Sequence, residues 1–397
     1  GMVACLRAPA RAAGRRAAAA VAEAEGARSM EVAPTAGIAR SVVRKASLRQ
    51  RRAAQHRASA IFGSSPWLPL RDVKLGAGDA GRAPRRHFSD FISPGAAEGA
   101  GLRLAFAAAC LPHPDKAQKG GEDAFFASPQ RRAFGVADGV GGWAESGVDP
   151  GEYSRCLLRY AHEGIVEHGI PEKKADLQEA LMIAARRLHE SQLQGGSTAL
   201  LGQLNGSTMG ILNLGDSGAM LLRPALRTPP GSDQPLLFPR VVFRSSDQTH
   251  YFNCPYQLGS SSAPIEAPDY VRVRVRTGDI IVAATDGVFD NLFDHQVQAL
   301  VARHLGGAWR SGASVEPQLQ GLATSIVKQA QRIGQLEDQK DVITPFALAA
   351  HSEGLPFRGG KLDDTTVVVG LVCTAKADEG QGEDPKDGLP QLNNFIR

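Results

Sequence analysis

The sequence predicts an α+β fold, and three observations predict it. Strand-like apolar runs, then amphipathic stretches at helical spacing, then strands again occur in blocks rather than in strict βαβ alternation. The 397 residues are 43% hydrophobic, 22% charged and 6% aromatic, the composition of a folded chain. The longest uninterrupted apolar run, Leu104–Leu111, has only eight residues. A membrane-spanning helix needs about 20, so no integral membrane segment is expected.

In chain order, residues 1–60 come first, with 12 Lys and Arg against three acids and long alanine stretches. They read as a transit-peptide-like basic segment, with an RNA- or headgroup-binding basic arm as the alternative. Residues 61–97, rich in Gly, Pro and Arg, read as a linker; 98–375 form the expected catalytic domain and 376–397 a polar tail. Within the domain, Leu102–Cys110, Ala124–Ala127 and Ala133–Ala137 have strand texture. A helix is expected to start with Asp149 as N-cap, Pro150 at the first helical position and Glu152 in the first turn. Leu177, Ala180, Leu181, Ala184 and Leu188 repeat at the spacing of a second amphipathic helix.

Asn205-Gly206 between Ser197–Leu204 and Ser207–Leu214 predicts a hairpin with both turn residues at positive φ. Tyr270–Arg276 alternates Val with Arg, the pattern of a half-buried strand, whereas Ile280–Thr285 reads as fully buried. Helices are expected over Asn291–Leu305 and Val315–Ile333, and a buried strand over Thr365–Cys373. Pro224–Pro239 resembles an inserted surface loop or flap.

Charge is divided unevenly. Residues 1–97 hold 17 Lys and Arg against six acids, so the overall +4 conceals a mildly acidic body that offers no nucleic-acid footprint. The five cysteines form no CxxC pair, which disfavours a zinc site or a disulfide framework. There is no GxxxxGK[ST], HExxH or GxSxG motif.

What remains is a set of acids at strand ends: Glu122-Asp123, Asp138-Gly139, Asp216, Asp286-Gly287, Asp290 and Asp363-Asp364. Converging carboxylates repel one another, and a hard divalent cation relieves that repulsion. Glycine after aspartate lets a backbone carbonyl approach an ion. The residues alone therefore suggest a carboxylate metal site and no more.

Six segments in order carry a resemblance. They are Gly121-Glu122-Asp123-Ala124, Val136–Gly142, Gly195–Ala199, Leu214–Gly218, Ala284–Gly287 and Leu362–Thr366. The set resembles the metal-dependent serine/threonine protein phosphatases of the protein phosphatase 2C type. Gly147–Pro150, His250–Asn253, Pro255–Leu258 and Asp290-Asn291 resemble the organellar branch that includes the T-cell-activation and photosystem II core phosphatases.

The resemblance implies a four-layer α-β-β-α sandwich with two central mixed or antiparallel sheets. It implies Mg2+- or Mn2+-dependent hydrolysis of phosphoserine and phosphothreonine in proteins by a metal-bridging hydroxide. Glu122, Asp138, the Gly139 carbonyl, Asp286 and Asp363 would hold two ions, with Asp138 bridging them. Asp216 and Asp290 match positions of a third ion in some relatives. Asp123 and Asp364 would orient the ligands from behind.

Two departures stand out. Many relatives carry a histidine, proposed to protonate the leaving oxygen, where this chain has Val140; a water or His250 would have to serve. The family's phosphate-binding arginine is replaced by Gln118, leaving Lys119 or Lys116 as substitutes. The expected partner is a phosphoprotein substrate, with no nucleic acid; the chain is expected to be a monomer and to reside in a mitochondrion or chloroplast. The alternative function is a catalytically silent phosphatase-like binding module. A third reading, an RNA-associated protein, would rest on the basic arm.

Overall fold

Period-two alternation along the central strands sorts their side chains onto two apolar faces. In β14 (Thr365–Thr374), Val367, Val369 and Leu371 face one core, while Val368 and Val372 face another. β13 (Ile280–Ala284) repeats the pattern, with Ile280, Val282 and Ala284 on one side and Ile281 and Ala283 on the other. Strands buried on both faces require a layer on each side, and the architecture follows from that. The structure, a computed structural model, describes residues 101–168, 175–228, 236–259, 267–306 and 315–375. The expectations for 1–60, 61–97 and 376–397 lie outside the described residues, as does part of Pro224–Pro239.

One five-stranded sheet has the order β1 (Leu102–Leu111), β14, β13, β7 (Gly218–Arg227), β8 (Leu236–Arg244). The other has the order β12 (Asp269–Arg274), β6 (Thr208–Leu214), β5 (Ala199–Asn205), β3 (Ala133–Asp138), β2 (Asp123–Ser128). The registers of both sheets are antiparallel throughout, which settles the mixed-or-antiparallel expectation. Short pairs β4 (Gly196–Ser197) with β11 (Leu258–Gly259), and β9 (Thr249–Tyr251) with β10 (Cys254–Pro255), extend the sandwich edge.

Leu104, Phe134, Leu200, Met209, Leu221 and Val368 fill the space between the sheets. Helices α1 (Pro150–His168) and α2 (Ala175–Glu190) cover the second sheet through Tyr153, Leu157, Ala161, Leu181 and Leu188. α3 (Asp286–Phe289), α4 (Asp294–Leu305) and α5 (Glu316–Gly334) cover the first through Val288, Val297, Val301, Leu322 and Ile326. α6 (Pro345–Ser352) completes the described helices. The result is the four-layer α-β-β-α sandwich. None of the described helices is long and apolar enough to cross a membrane.

Several expectations need correction. Asn205 pairs with Thr208, so the turn residues are Gly206 and Ser207, and only Gly206 has positive φ (+53°). That matches a type II′ turn, which needs glycine only at its first central position. The helix expected from Asn291 begins at Asp294, because Asn291 is occupied: its side-chain amide donates to the carbonyls of Gly287 (2.8 Å) and Lys361 (2.7 Å). The strand expected over Ser197–Leu204 is interrupted at Thr198, whose hydroxyl accepts the Asp138 amide. β12 is an edge strand: Val273 and the following Val275 pack on the core as the half-buried pattern expects, while Val271 is exposed. The described parts of the Pro224–Pro239 stretch are strand, not loop: they belong to β7 and β8, with Pro224 and Pro239 facing each other across the ladder. Proline fits there because Pro224 lies beyond the part of β7 that pairs with β13, and Pro239 lies on the edge strand β8.

Candidate metal centre

Antiparallel register decides which acids meet. Asp123 opens β2, Asp138 closes β3, and the two are register partners. In the other sheet, Ala284 at the end of β13 pairs with Val367 of β14 and with Gly218 of β7. Asp286, Asp363 and Asp216 each lie two residues beyond those strand ends, so they emerge at the same end of the sheet. Residues far apart in sequence are thus gathered by strand order rather than by local motif.

Hydrogen bonds tie the two sheets together there. Thr285 Oγ1, from the first sheet, donates to Asp123 Oδ2 of the second at 2.8 Å. Asp364 Oδ2 accepts the Glu122 amide at 2.7 Å, and its other oxygen accepts the His113 amide. The Gly139 amide donates to the Glu122 carbonyl at 3.0 Å. A Cβ on Gly287 would lie 2.0 Å from the Asp364 carbonyl oxygen, and one on Gly139 would lie 2.4 Å from that of Pro150. Glycine after these aspartates is therefore demanded by close backbone packing, a stronger reason than access for an ion.

Two ammonium groups stand among the acids. Lys116 Nζ lies 2.6 Å from Glu122 Oε2, 3.5 Å from Asp363 Oδ1 and 3.7 Å from Asp364 Oδ2. Lys361 Nζ lies 2.5 Å from Asp286 Oδ2, 2.8 Å from Asp290 Oδ2 and 3.7 Å from Asp363 Oδ2. Lys361 is held by Asn291 Oδ1, which accepts its amide at 3.0 Å, and its ammonium sits 5.0 Å from the centre of the Phe346 ring.

The electrostatics are those of crowded acids with too little positive charge. Burial pushes the Asp138 carboxyl well above its usual range, and Asp123, Asp286 and Asp363 push it further. Asp123 moves up through burial and then through Asp364. Glu122 and Asp363 also move up, chiefly through burial. Burial lifts Asp290 to about 7 against the pull of Lys361. For Asp286, burial is the largest influence and would raise it, but the Lys361 ammonium and hydrogen bonds to Lys361, Asp138 and the Gly287 backbone together bring it down. Oδ1 of Asp123 and Oδ1 of Asp286 are buried without a hydrogen-bond partner. Unpartnered, mutually repelling carboxylate oxygens fit a divalent cation.

Among the described residues, however, no three acidic, imidazole or thiol side chains are arranged around one point as a closed ligand set. The structure brings Glu122, Asp138, Asp286 and Asp363 into one charge network with Lys116 and Lys361 between them. Asp216 and Asp290 join it from the far side, where Asp216 feels Asp286, Lys361 and Asp290. Asp123 and Asp364 lie behind, fully buried.

Two expected residues fall elsewhere. Lys119 is exposed on the Pro114–Lys119 turn, and the position inside the network belongs to Lys116, one helical turn earlier. His250 is exposed on β9 with its ring 4.7 Å from Tyr256. Its strand is tied to the Asp216 turn through Gln248, whose amide donates to the Gly215 carbonyl at 2.8 Å. Lys361 escaped the sequence reading, and Asn291 and Thr285 stood inside segments of the motif set without a role assigned to them. The only signal for Lys361 was a single lysine after two glycines, two residues before Asp363.

No family model matches the chain. Among curated relatives, it is 33% identical over 292 residues to probable protein phosphatase 2C 26 of Arabidopsis thaliana, covering 69% of this chain and 85% of the relative. It is 36% identical over 272 residues to the protein phosphatase PTC7 homolog of Xenopus laevis, covering 64% and 82% respectively. Other relatives are longer: the chain spans 54% of probable protein phosphatase 2C 55 of Arabidopsis thaliana, at 38% identity over 283 residues and 70% of this chain. The X-ray structure of the photosystem II phosphatase PBCP superimposes with a TM-score of 0.54 at 29% identity, covering 68% of this chain and 98% of that one. Fold, acid placement and these likenesses agree: the chain belongs to the protein phosphatase 2C family.

Proposed function

We propose that the chain is a Mg2+- or Mn2+-dependent protein serine/threonine phosphatase. The observation that carries this reading is the convergence of Glu122, Asp138, Asp286 and Asp363 from the ends of both sheets, with buried unpartnered oxygens on Asp123 and Asp286. Glu122, Asp138 and the Gly139 carbonyl, with Asp286 and Asp363, would hold two ions. When bound, such ions supply an activated water and a clamp on the phosphoryl oxygens.

The remaining work belongs to the chain's own residues. Asp364, by accepting the amides of His113 and Glu122, fixes both ends of the turn that carries Lys116. Lys116 then presents a positive charge at the rim, with 32% of its side chain exposed, where a phosphoryl group of a substrate would enter. Lysine binds phosphate as a point charge, without the forked geometry of arginine. Thr285 holds the Asp123 carboxylate, and Thr198 accepts the Asp138 amide and so fixes the backbone that carries Asp138. With Val140 at the position of the relatives' histidine and His250 exposed on β9, we assign the leaving-group proton to solvent.

The silent-module alternative finds no support, because none of the acids of the motif set is replaced by a neutral residue. The basic, acid-poor residues 1–60 and the photosystem II phosphatase among the similar structures support an organellar setting, mitochondrion or chloroplast. The test is hydrolysis of a phosphothreonine peptide by the full chain with Mn2+, with EDTA, and with Asp138→Asn. Turnover that needs Mn2+ and is lost in the variant supports the reading; turnover that survives EDTA or the substitution overturns it.

A further inference from the structure

Lys361 raises a question that the proposed hydrolysis does not answer. An ammonium group with 17% of its side chain exposed lies between acids that come from two separate stretches of chain, 286–290 and 363. It bonds Oδ2 of Asp286 and Oδ2 of Asp290, and approaches Oδ2 of Asp363. Its backbone is clamped on both sides by Asn291, whose carbonyl oxygen accepts the Lys361 amide while its amide donates to the Lys361 carbonyl. The ring of Phe346 covers the ammonium at 5.0 Å. A lysine fixed at the backbone, covered by an aromatic face and bonded to two carboxylates is built in rather than draped over the surface.

The two oxygens of Asp286 are treated differently. Oδ2 is taken by Lys361, while Oδ1 is buried, has no partner, and belongs to a side chain only 10% exposed. Asp138 lies on the Asp286 side of the network, close enough to share a hydrogen bond. The lysine thus engages one oxygen of Asp286 and leaves the other buried and unpartnered. Asp290, bonded to the same ammonium, and Asp216 carry like charges that Lys361 offsets.

We infer that Lys361 is a built-in cation: it neutralises the Asp216–Asp290 side of the cleft and orients Asp286, so that this side takes no divalent ion of its own. The inference rests on the two-ion reading of the Glu122–Asp138–Asp286–Asp363 cluster. Lys361 acts here as a positioning residue, since it touches the acids and not the substrate.

The test counts Mn2+ bound to the full chain by isothermal titration, with free Mn2+ followed by electron paramagnetic resonance. Three proteins are compared: the unsubstituted chain, Lys361→Met, and Lys361→Met with Asp290→Asn. The expected counts are two, three and two, because removing the ammonium exposes a cluster of acids that a divalent ion then neutralises. Three ions in the unsubstituted chain, or two in Lys361→Met with unchanged affinities, would overturn the inference while leaving the two-ion reading intact. No ion in any of the three would overturn the two-ion reading itself. Should Lys361→Met lose its cooperative melting transition, the double variant is expected to regain it, as its charge is balanced. A double variant that also fails to melt cooperatively would show that the lysine acts through packing on Phe346, and would overturn the inference.

Discussion

Lys116 and Lys361 carry the same charge into the same acid cluster and differ in almost everything else. Lys116 rides on the 3-10 turn Pro114–Lys119, tied at its start by His113 Nδ1 accepting the Asp115 amide. Its side chain is about twice as exposed as that of Lys361, at 32% against 17%. Lys361 is clamped by Asn291 and covered by Phe346. Both ammonium groups have their affinity for the proton raised, against burial, by the acids around them: Asp363, Asp364 and Glu122 for Lys116, Asp286, Asp290 and Asp363 for Lys361. The difference is therefore one of mobility and access. A cation at the rim can exchange a carboxylate for an incoming phosphoryl group, while a clamped cation can only hold what it already touches.

The acids stand between the two lysines, and substitutions there sharpen the contrast most. Asp138→Asn removes an acid set among Asp286, Asp363 and Lys116, and kcat on a phosphothreonine peptide should fall about 100-fold or more. Asn291→Ala strikes only the clamped region. It leaves the buried carbonyls of Gly287 and Lys361 without their donor, which should cost about 1–3 kcal/mol and lower Tm in a thermal melt by several degrees. Lys116→Ala strikes only the rim, and kcat/KM should drop about tenfold, or ~1.4 kcal/mol, with Tm little changed. Lys119→Ala, three residues away on the exposed side of the same turn, should leave kcat/KM within about twofold, since a surface charge contributes little. His250→Ala should likewise stay within about twofold at all pH values; a lost limb in its pH–rate profile would return the leaving-group proton to the imidazole.

The same contrast explains what could be read before the structure. The strand ends that carry Glu122, Asp138, Asp286 and Asp363 were visible because apolar runs stop there and because Asp-Gly pairs mark the exits. The start of α1 was visible because capping is local: Asp149 Oδ1 accepts the Gly151 amide at 3.0 Å, two residues on. Lys361 was not visible, since its partners Asp286 and Asn291 lie some 70 residues earlier and only the register of β13 against β14 brings them together. Lys119 and Lys116 were equally plausible in a linear reading. The 3-10 turn at 114–119 separates them: Lys116, half-buried, reaches Glu122 and Asp363, while Lys119, one turn later and at the helix end, is exposed. The Gly206 turn shows the same limit on a smaller scale: the dipeptide named the hairpin, but the pairing of Asn205 with Thr208 set its register.

The account depends most on two ions gathered by acids from both sheets, with Lys361 remaining on Asp290. A crystal of the full chain grown with manganese and measured at the manganese absorption edge tests this directly. The account predicts two anomalous peaks among Glu122, Asp138, Asp286 and Asp363, none between Asp216 and Asp290, and the Lys361–Asp290 bond intact. Acid side chains turned apart with no anomalous density among them would contradict it.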